Sequence, residues 1–454
     1  MVSDVARVDS LALAEDVLAR AMNAGASEAE VLVMADDLAL TRFANNEIHQ
    51  NVAETNVSVS LRFVLGKRIA TAASGRTDQA GLAALVERAG DSARTVEELE
   101  DWAGLPAPDP SDGSGGLAAA YAESTAEASP ELRAEGARAV IGAAEARGIL
   151  AYGSFTTSRE EIAVANSSGI RSHERRTSSQ LLTVTMSPGG GTGYAERAAT
   201  DVMNIDPESI GREAAERARA ADHAISVPAG DYPVVLEPYA VVDILDMLGY
   251  VGFSGLAVEE GRSFSEPGRR VGSDLVTIID DGANTSGLPM TFDYEGVRKQ
   301  RVVLIENGVC RDVVYDAQTA ARAGRSSTGH GLPAPNPYGP FPMNMMMAHG
   351  STPHADLVAG IDRGLLVTRF HYTNPVHPKL AIITGMTRDG TFLIEHGEVV
   401  APVRNLRFTQ SYLDALAAVS AVGRDLRTLR GSSGAVVVPA LRIDTWTFTG
   451  TTEH

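Results

Sequence analysis

Hydrophobic positions along the chain change period several times, and each change predicts an element. Residues 9–24 carry apolar side chains at helical spacing, with Asp9 or Ser10 as the cap and Gly25 beyond the end. The period then falls to two. Val31 and Val33, and further on Val57, Val59, Leu61 and Phe63, alternate with other residues as half-buried strands do. Gly66-Lys67 predicts a turn into a partner strand at 68–73, and residues 77–99 return to helical spacing. Ser129-Pro130-Glu131 starts another helix, with Ser as cap and Pro in the first turn, that runs to about residue 146. Strands are predicted at 149–157, 160–166 and 170–186, then a helix at 206–225.

Beyond residues 227–231 the chain becomes richer in strands and turns. Val302, Val303, Leu304 and Ile305 form an apolar run, Asn307-Gly308 supplies residues that tolerate positive φ, and residues 309–315 are expected to return as the second strand of a hairpin. Asp316 is then placed to cap a helix at 317–323, with Gly324 after it. Leu304–Val309 is echoed at Leu393–Val399, which shared hairpin chemistry explains as well as duplication would. Residues 103–116 and 326–342 are rich in Pro and Gly and read as loops. A helix is expected at 412–422, before a final pair of strands. Helix and sheet blocks without regular βαβ alternation predict an α+β fold in two domains. Residues 1–226 form the N-terminal domain, carrying the 103–116 loop, and 227–454 form a β-rich C-terminal domain with the cleft.

Composition narrows the class. At 454 residues, 44% hydrophobic and 21% charged, the chain has the make-up of a soluble globular protein. No apolar run reaches the roughly 18 residues needed to span a bilayer, and the acidic N-terminus does not read as a signal peptide. A single cysteine, Cys310, excludes an intrachain disulfide and fits a reducing cytoplasm. The formal charge of −19 disfavours nucleic acid as a partner, because the short basic runs at 173–176 and 298–301 are too mixed to form a groove.

The string FDYEGVRKQRVVLIENGVCRDVVYDAQTAARAG at 292–324 resembles the C-terminal domain of the TldD/PmbA family, with its "FDxEG … LIxNG … D…TA" wording. ARAMNAGASEAEV at 19–31, Asn166-Ser167-Ser168-Gly169, EEGRSF at 259–264 and VTIIDDG at 276–282 resemble other family segments in the same order. In the TldD branch the resemblance implies a zinc peptidase with an HExxxH helix: two His on one face bind the metal and the Glu acts as base on its water. The matching positions here are Asp246, Met247 and Val251, and no HExxH or HExxxH occurs elsewhere. Met247 cannot accept a proton and Val251 cannot bind a metal. The chain therefore resembles the TldE (PmbA) branch, which implies a subunit without its own zinc. By that resemblance it pairs with a TldD-like, zinc-bearing partner or with itself and acts on short or unfolded peptides. No catalytic residue is assigned to it.

The residues leave other possibilities open. Five of the ten histidines, His330, His349, His354, His371 and His377, lie within 48 residues of the C-terminal domain, but no pair has helical i, i+4 spacing. His349, His354, His371 and His377 are the raw material of an alternative metal site, which would make the protein a homodimeric enzyme with non-standard metal or tailoring chemistry. A peptide-binding regulatory module without chemistry is a third reading. For the cleft the candidates are His330, Asn336, Phe370, His371, Tyr372 and His377, where aromatic and polar groups beside a strand end can grip a peptide. Met343, Met345, Met346 and Met347 are expected at a subunit interface, Cys310 as a buried inert thiol, Asp280-Asp281-Gly282 as a turn, and the 189–193 glycine tract as a flexible turn.

Overall fold

The computed structural model describes residues 9–109, 116–431 and 434–452, so residues 110–115 of the Pro/Gly-rich loop lie outside the described residues. The N-terminal region is one antiparallel sheet of β1 (Glu28–Ala44), β2 (Glu47–Leu65), β3 (Arg68–Ser74), β4 (Leu150–Asn166), β5 (Arg171–Met186) and β6 (Thr192–Ala199). Their order is β3-β2-β1-β4-β5-β6. Sequence alternation marked β1 and β2 but missed the joint between them, where Asn45 and Asn46 both take positive φ and close a two-residue hairpin. The predicted break inside 149–166 is absent: β4 runs unbroken because β1 and β5 flank it along its length.

Period-two alternation sends Val31, Val33, Val59, Leu61 and Phe63 to one face, where helices Ser10–Asn23 and Gln79–Thr95 cover them. Helices Pro130–Glu145 and Pro207–Ala220 cover the other half of the same face, against Phe155, Leu181 and Ala195. Asp9, Asp78, Ser129 and Asp206 each cap a helix through a side-chain oxygen, as expected of N-cap residues. The glycine tract is not a free turn. Gly191 and Gly193 have no room for a Cβ because the backbone of helix Pro207–Ala220 lies against them.

The C-terminal region contains β7 (Gly230–Leu236) and a second set of strands closed into a ring. Strand Arg363–His377 pairs with both β7 and Ile382–Glu395, and the circuit is completed through Leu406–Ser411 and Leu441–Thr451. Trp446 is fully buried inside it, stacked on Phe370 at 4.9 Å and edge-on to Phe408 at 5.2 Å between ring centroids. A separate six-stranded sheet holds Val302–Glu306, Ile278–Asp280 and Met345–Met347. Met345 and Met347 fill the core beneath this sheet, so core packing replaces the interface role expected of the methionine group. Two further elements of this region differ from expectation. Helix Tyr412–Ala417 stops early because Val419–Val422 pairs with residues 441–443, and the return strand after Asn307-Gly308 is only Val309–Cys310. No helix among the described residues is long and apolar enough to cross a membrane.

The exposed face of the N-terminal sheet receives one segment of the C-terminal region. Phe292 packs on Leu32, Ile162, Val164 and Ile170, with Tyr294 and Val297 beside it. Both faces of β1 are therefore buried, which accounts for the unbroken apolar run Val31-Leu32-Val33-Met34. Gly296 takes φ +76° here, and a Cβ on it would stand 2.5 Å from Ile170. Next to this contact Arg62 of β2 lies 3.5 Å from Glu30 and 3.4 Å from Glu295, with all three largely out of solvent. Burial pushes the Glu30 carboxyl up to about 7 even though Arg62 opposes it.

Two substitutions test this junction by urea unfolding. Arg62→Ala leaves buried carboxylates unpaired and should cost about 3–5 kcal/mol. Gly296→Ala should cost more than the roughly 1 kcal/mol of an unstrained glycine change. A loss below about 0.5 kcal/mol in both would mean that the junction is not what the two regions depend on.

Candidate functional site

The element to which the zinc helix corresponds is Pro238–Val251, which follows β7 directly. Pro238 sits at its first turn, and eleven of its residues are buried, so the helix is apolar nearly all round and runs through the C-terminal core. Asp246 is almost fully buried and faces Gly431, where a Cβ would stand 2.5 Å from its Oδ1. Met247 packs half-buried against the core, and Val251 is inside it. At the positions that the resemblance assigns to the two His and the base stand a buried carboxylate, a packed Val and a half-buried thioether. Zinc needs three or four N, S or O donors converging at about 2.0–2.3 Å. These residues do not fit it. Among the described residues no group of three or more His, Cys, Asp or Glu could hold a metal ion.

A second carboxylate lies on the same face, three residues before Asp246, as helical spacing requires. Asp243 accepts hydrogen bonds from Thr373 Oγ1 at 2.6 Å and Tyr412 Oη at 2.7 Å. Burial pushes its carboxyl up to about 6; the two hydroxyls pull it down, and the charge of Asp246 adds to the rise. Asp243 was missed in the sequence, although two aspartates in an otherwise apolar helix are the signal that could have found it.

Past Gly431, the two regions enclose a polar cavity of 190 Å³ lined by Arg176, Ser178, Tyr294, Asn344 and Arg430 among others. Arg430 donates to Ser178 Oγ at 2.5 Å, and Arg176 is paired with Glu160 at 2.7 Å. Burial, with Glu160 acting against it, lowers the pKa of Arg430. The Oδ1 of Asn344, one of the residues beside the cavity, is buried without a hydrogen-bond partner. Arg176 and Tyr294 lie in segments that the sequence marks for other reasons, but nothing in it joins them to Ser178, Asn344 and Arg430, because these residues come from both regions and meet only in the fold.

The predicted cleft residues scatter. His330 is fully buried: Nε2 lies 2.9 Å from Asp280 Oδ1, and Nδ1 lies 3.0 Å from Thr328 Oγ1. Asp280 ends a strand rather than opening a turn. Burial would raise its carboxyl, but Lys299 and His330 outweigh that and hold it at about 2. Phe370 is in the aromatic core with Trp446. Asn336 closes its own loop on Gly339 and Tyr338. His371, Tyr372 and His377 lie along the outer part of strand Arg363–His377, where Tyr372 is 76% exposed with positive φ. The four histidines considered for a metal have separate surroundings. His349 bonds to Gly350 O, His354 to Glu237, and His377 to Leu380 N, while His371 lies beside Tyr372. They are not brought together.

Models described as PmbA/TldA metallopeptidase domain 1, central domain and C-terminal domain match residues 29–93, 120–221 and 229–450. The crystal structure of TldE from Thermococcus kodakarensis superimposes with a TM-score of 0.88, covering 96% of this chain and 100% of that one at 21% identity. A metalloprotease TldD homolog from Buchnera aphidicola is 30% identical over 212 residues, 44% of this chain and 42% of the relative. One from Haemophilus influenzae is 30% identical over 259 residues, 53% of this chain and 52% of the relative. The chain thus spans about half the length of the curated relatives it matches.

The buried Asp243 generates a pH prediction. A carboxyl whose pKa is raised by folding favours the folded state below its ordinary value near 3.8, and that contribution is lost as pH rises through about 6. Asp243→Asn, which never ionises, should therefore gain stability relative to the native chain between pH 4 and pH 7, by roughly 3 kcal/mol at the upper end. Thermal melts across that range measure it. A difference that does not change with pH would remove charge burial as the cause.

Proposed function

We propose, since this chain belongs to the PmbA/TldA metallopeptidase family, that it is the zinc-free subunit of a two-subunit peptidase of the TldD/TldE type. A TldD-like partner would hold the metal and cut short or unfolded peptides, and this chain would form one wall of the enclosure. The observation that carries the reading is the helix Pro238–Val251, where Asp246, Met247 and Val251 replace the donor set and are built into the core. A reaction that needs a metal-activated water has no place to occur on this helix.

The working division of the chain is at residues 226 and 227, with the C-terminal half facing the peptide. Of the cleft candidates, His371, Tyr372 and His377 suit such a wall because they stand on the far part of strand Arg363–His377, beyond its pairing with β7, and Asn336 closes its own loop. Tyr372, Val376 and Leu380 also leave apolar surface exposed there, which suits contact with a partner subunit or an unfolded chain. The setting that fits the composition is the cytoplasm.

Metal analysis by plasma mass spectrometry, on a sample sized at the same time, tests the proposal. The expected result is zinc well below one atom per chain, no peptidase activity alone, and activity on mixing with a TldD-type partner. One tightly retained metal per chain, as a closed ligand set would give, overturns it. So does peptide cleavage by the purified chain without any partner.

A further inference from the structure

A groove of 660 Å³ lies away from the zinc-helix face, between helix Pro207–Ala220 and strand Glu398–Pro402. That volume is in the range of small-ligand sites, about 300–1,000 Å³. Its two walls differ in chemistry. On one side stands the last strand of its sheet, with a strand neighbour along one edge only and with Val399 and Val400 46% and 51% exposed. At its far end this edge already takes an added residue: Ile225 N–H donates to Pro402 O, and Arg404 N–H donates to Ile225 O, in parallel pairing. The stretch beside it, which carries a register shift at Val400, has no strand partner on its outer edge and is open to strand addition.

The opposite wall is charged and unevenly balanced. The Glu213 carboxylate is shared by Arg197 at 2.9 Å, Arg217 at 2.8 Å and Arg427 at 2.7 Å. Glu237 is 3.5 Å from Arg217 and 2.9 Å from His354. Glu216 is engaged by Arg147. Arg212, exposed on the same helix face of the groove, forms no ion pair among the described residues. Of these, Arg212, Arg217 and Arg427 line the groove with Glu213, Glu216 and Glu237; counting Arg147 and Arg197, which pair with Glu216 and Glu213 from outside the lining, five guanidinium groups stand against three carboxylates. In a chain of net charge −19 this is a local cationic surplus at one end of an apolar strand edge.

We propose that this groove binds the C-terminal end of an extended peptide, adding it as a strand beside residues 398–402 and receiving its terminal carboxylate on the arginine-rich wall. Guanidinium groups suit a carboxylate through paired N–H donors, and Val399 and Val400 offer apolar contact to the last side chains. The inference rests on the peptide reading above and deepens it: the subunit selects free C termini in a groove at the start of the helix Pro238–Val251 that Asp246, Met247 and Val251 do not line.

The test uses the full chain alone, without partner or metal, so its failure leaves the metal analysis untouched. Binding of an N-terminally labelled hexapeptide of Ala, Val and Leu is followed by fluorescence anisotropy, as the free acid, as the C-terminal amide, and as an amide ending in Glu. The free acid should bind at least tenfold more tightly than either amide. Arg212→Glu should remove most of that preference, and Val400→Pro, at the open edge, should weaken all three peptides while the circular dichroism spectrum stays native. Equal binding of acid and plain amide, or no binding, overturns the proposal. Binding of the Glu-ending amide as tight as that of the acid overturns the selection of a terminal carboxylate. An unchanged affinity in Val400→Pro overturns strand addition.

Discussion

The structure depends on how one segment of the C-terminal region is held against the bare face of the N-terminal sheet. Residues 291–297 bring three kinds of constraint at once. Phe292 supplies apolar contact with β1 and β4. Asp293 folds the segment into a tight loop by accepting backbone N–H groups of Glu295, Val297 and Gly331. Glu295 reaches Arg62, and its other oxygen takes the N–H of Ala317 at the start of the next helix. A buried ion pair is weak evidence of net stability, but breaking one is costly because a charge is left stranded. The contact therefore fixes where the regions meet more than how tightly they adhere. The interdomain cavity between Arg176 and Arg430 exists because of that fixed meeting.

The same logic explains what became of the helix Pro238–Val251. A zinc site needs a helix face open to water and donors from elsewhere in the fold. Here the helix is enclosed, and its remaining carboxylates are handled as a core handles them. Asp243 is satisfied by two hydroxyls and pushed toward its neutral form. Glu237, at the helix start, is treated in the opposite way. Burial would raise its carboxyl, but Arg217 and His354 outweigh that and hold it at about 2. Two carboxylates on one short element are thus driven apart in pKa by their surroundings alone. The difference follows from which partners the tertiary fold delivers, a guanidinium in one case and hydroxyls in the other.

Charge is distributed in a similar way across the whole chain. The sequence is strongly acidic, yet its arginines gather at the junctions between elements: Arg62 between regions, Arg176 at the cavity beside them, and Arg197, Arg217 and Arg427 around Tyr239 and Glu213. Tyr239, on the enclosed helix, donates its hydroxyl to Glu213 at 3.0 Å and lies under the guanidinium groups of Arg217 and Arg427. Arginine serves here because its planar group can bond a carboxylate and cover an aromatic ring together. Average composition gave no hint of this, since net charge reports solubility and partners rather than local pairing.

Local information in the sequence determined the α+β class and the capped helices. These rest on periodicity, cap chemistry and residue identity, which do not depend on distant contacts. It also determined the turn at Asn307-Gly308, where both residues take positive φ. What failed was decided by partners far along the chain. The 412–422 segment split into helix and strand because residues 441–443 offered Val419–Val422 a pairing edge. Met345 and Met347 went to the core, and His330 was closed between Asp280 and Thr328, because buried polar and apolar groups settle where packing and hydrogen bonds can be completed. Residue type set what each position could do; only the tertiary structure decided which positions met.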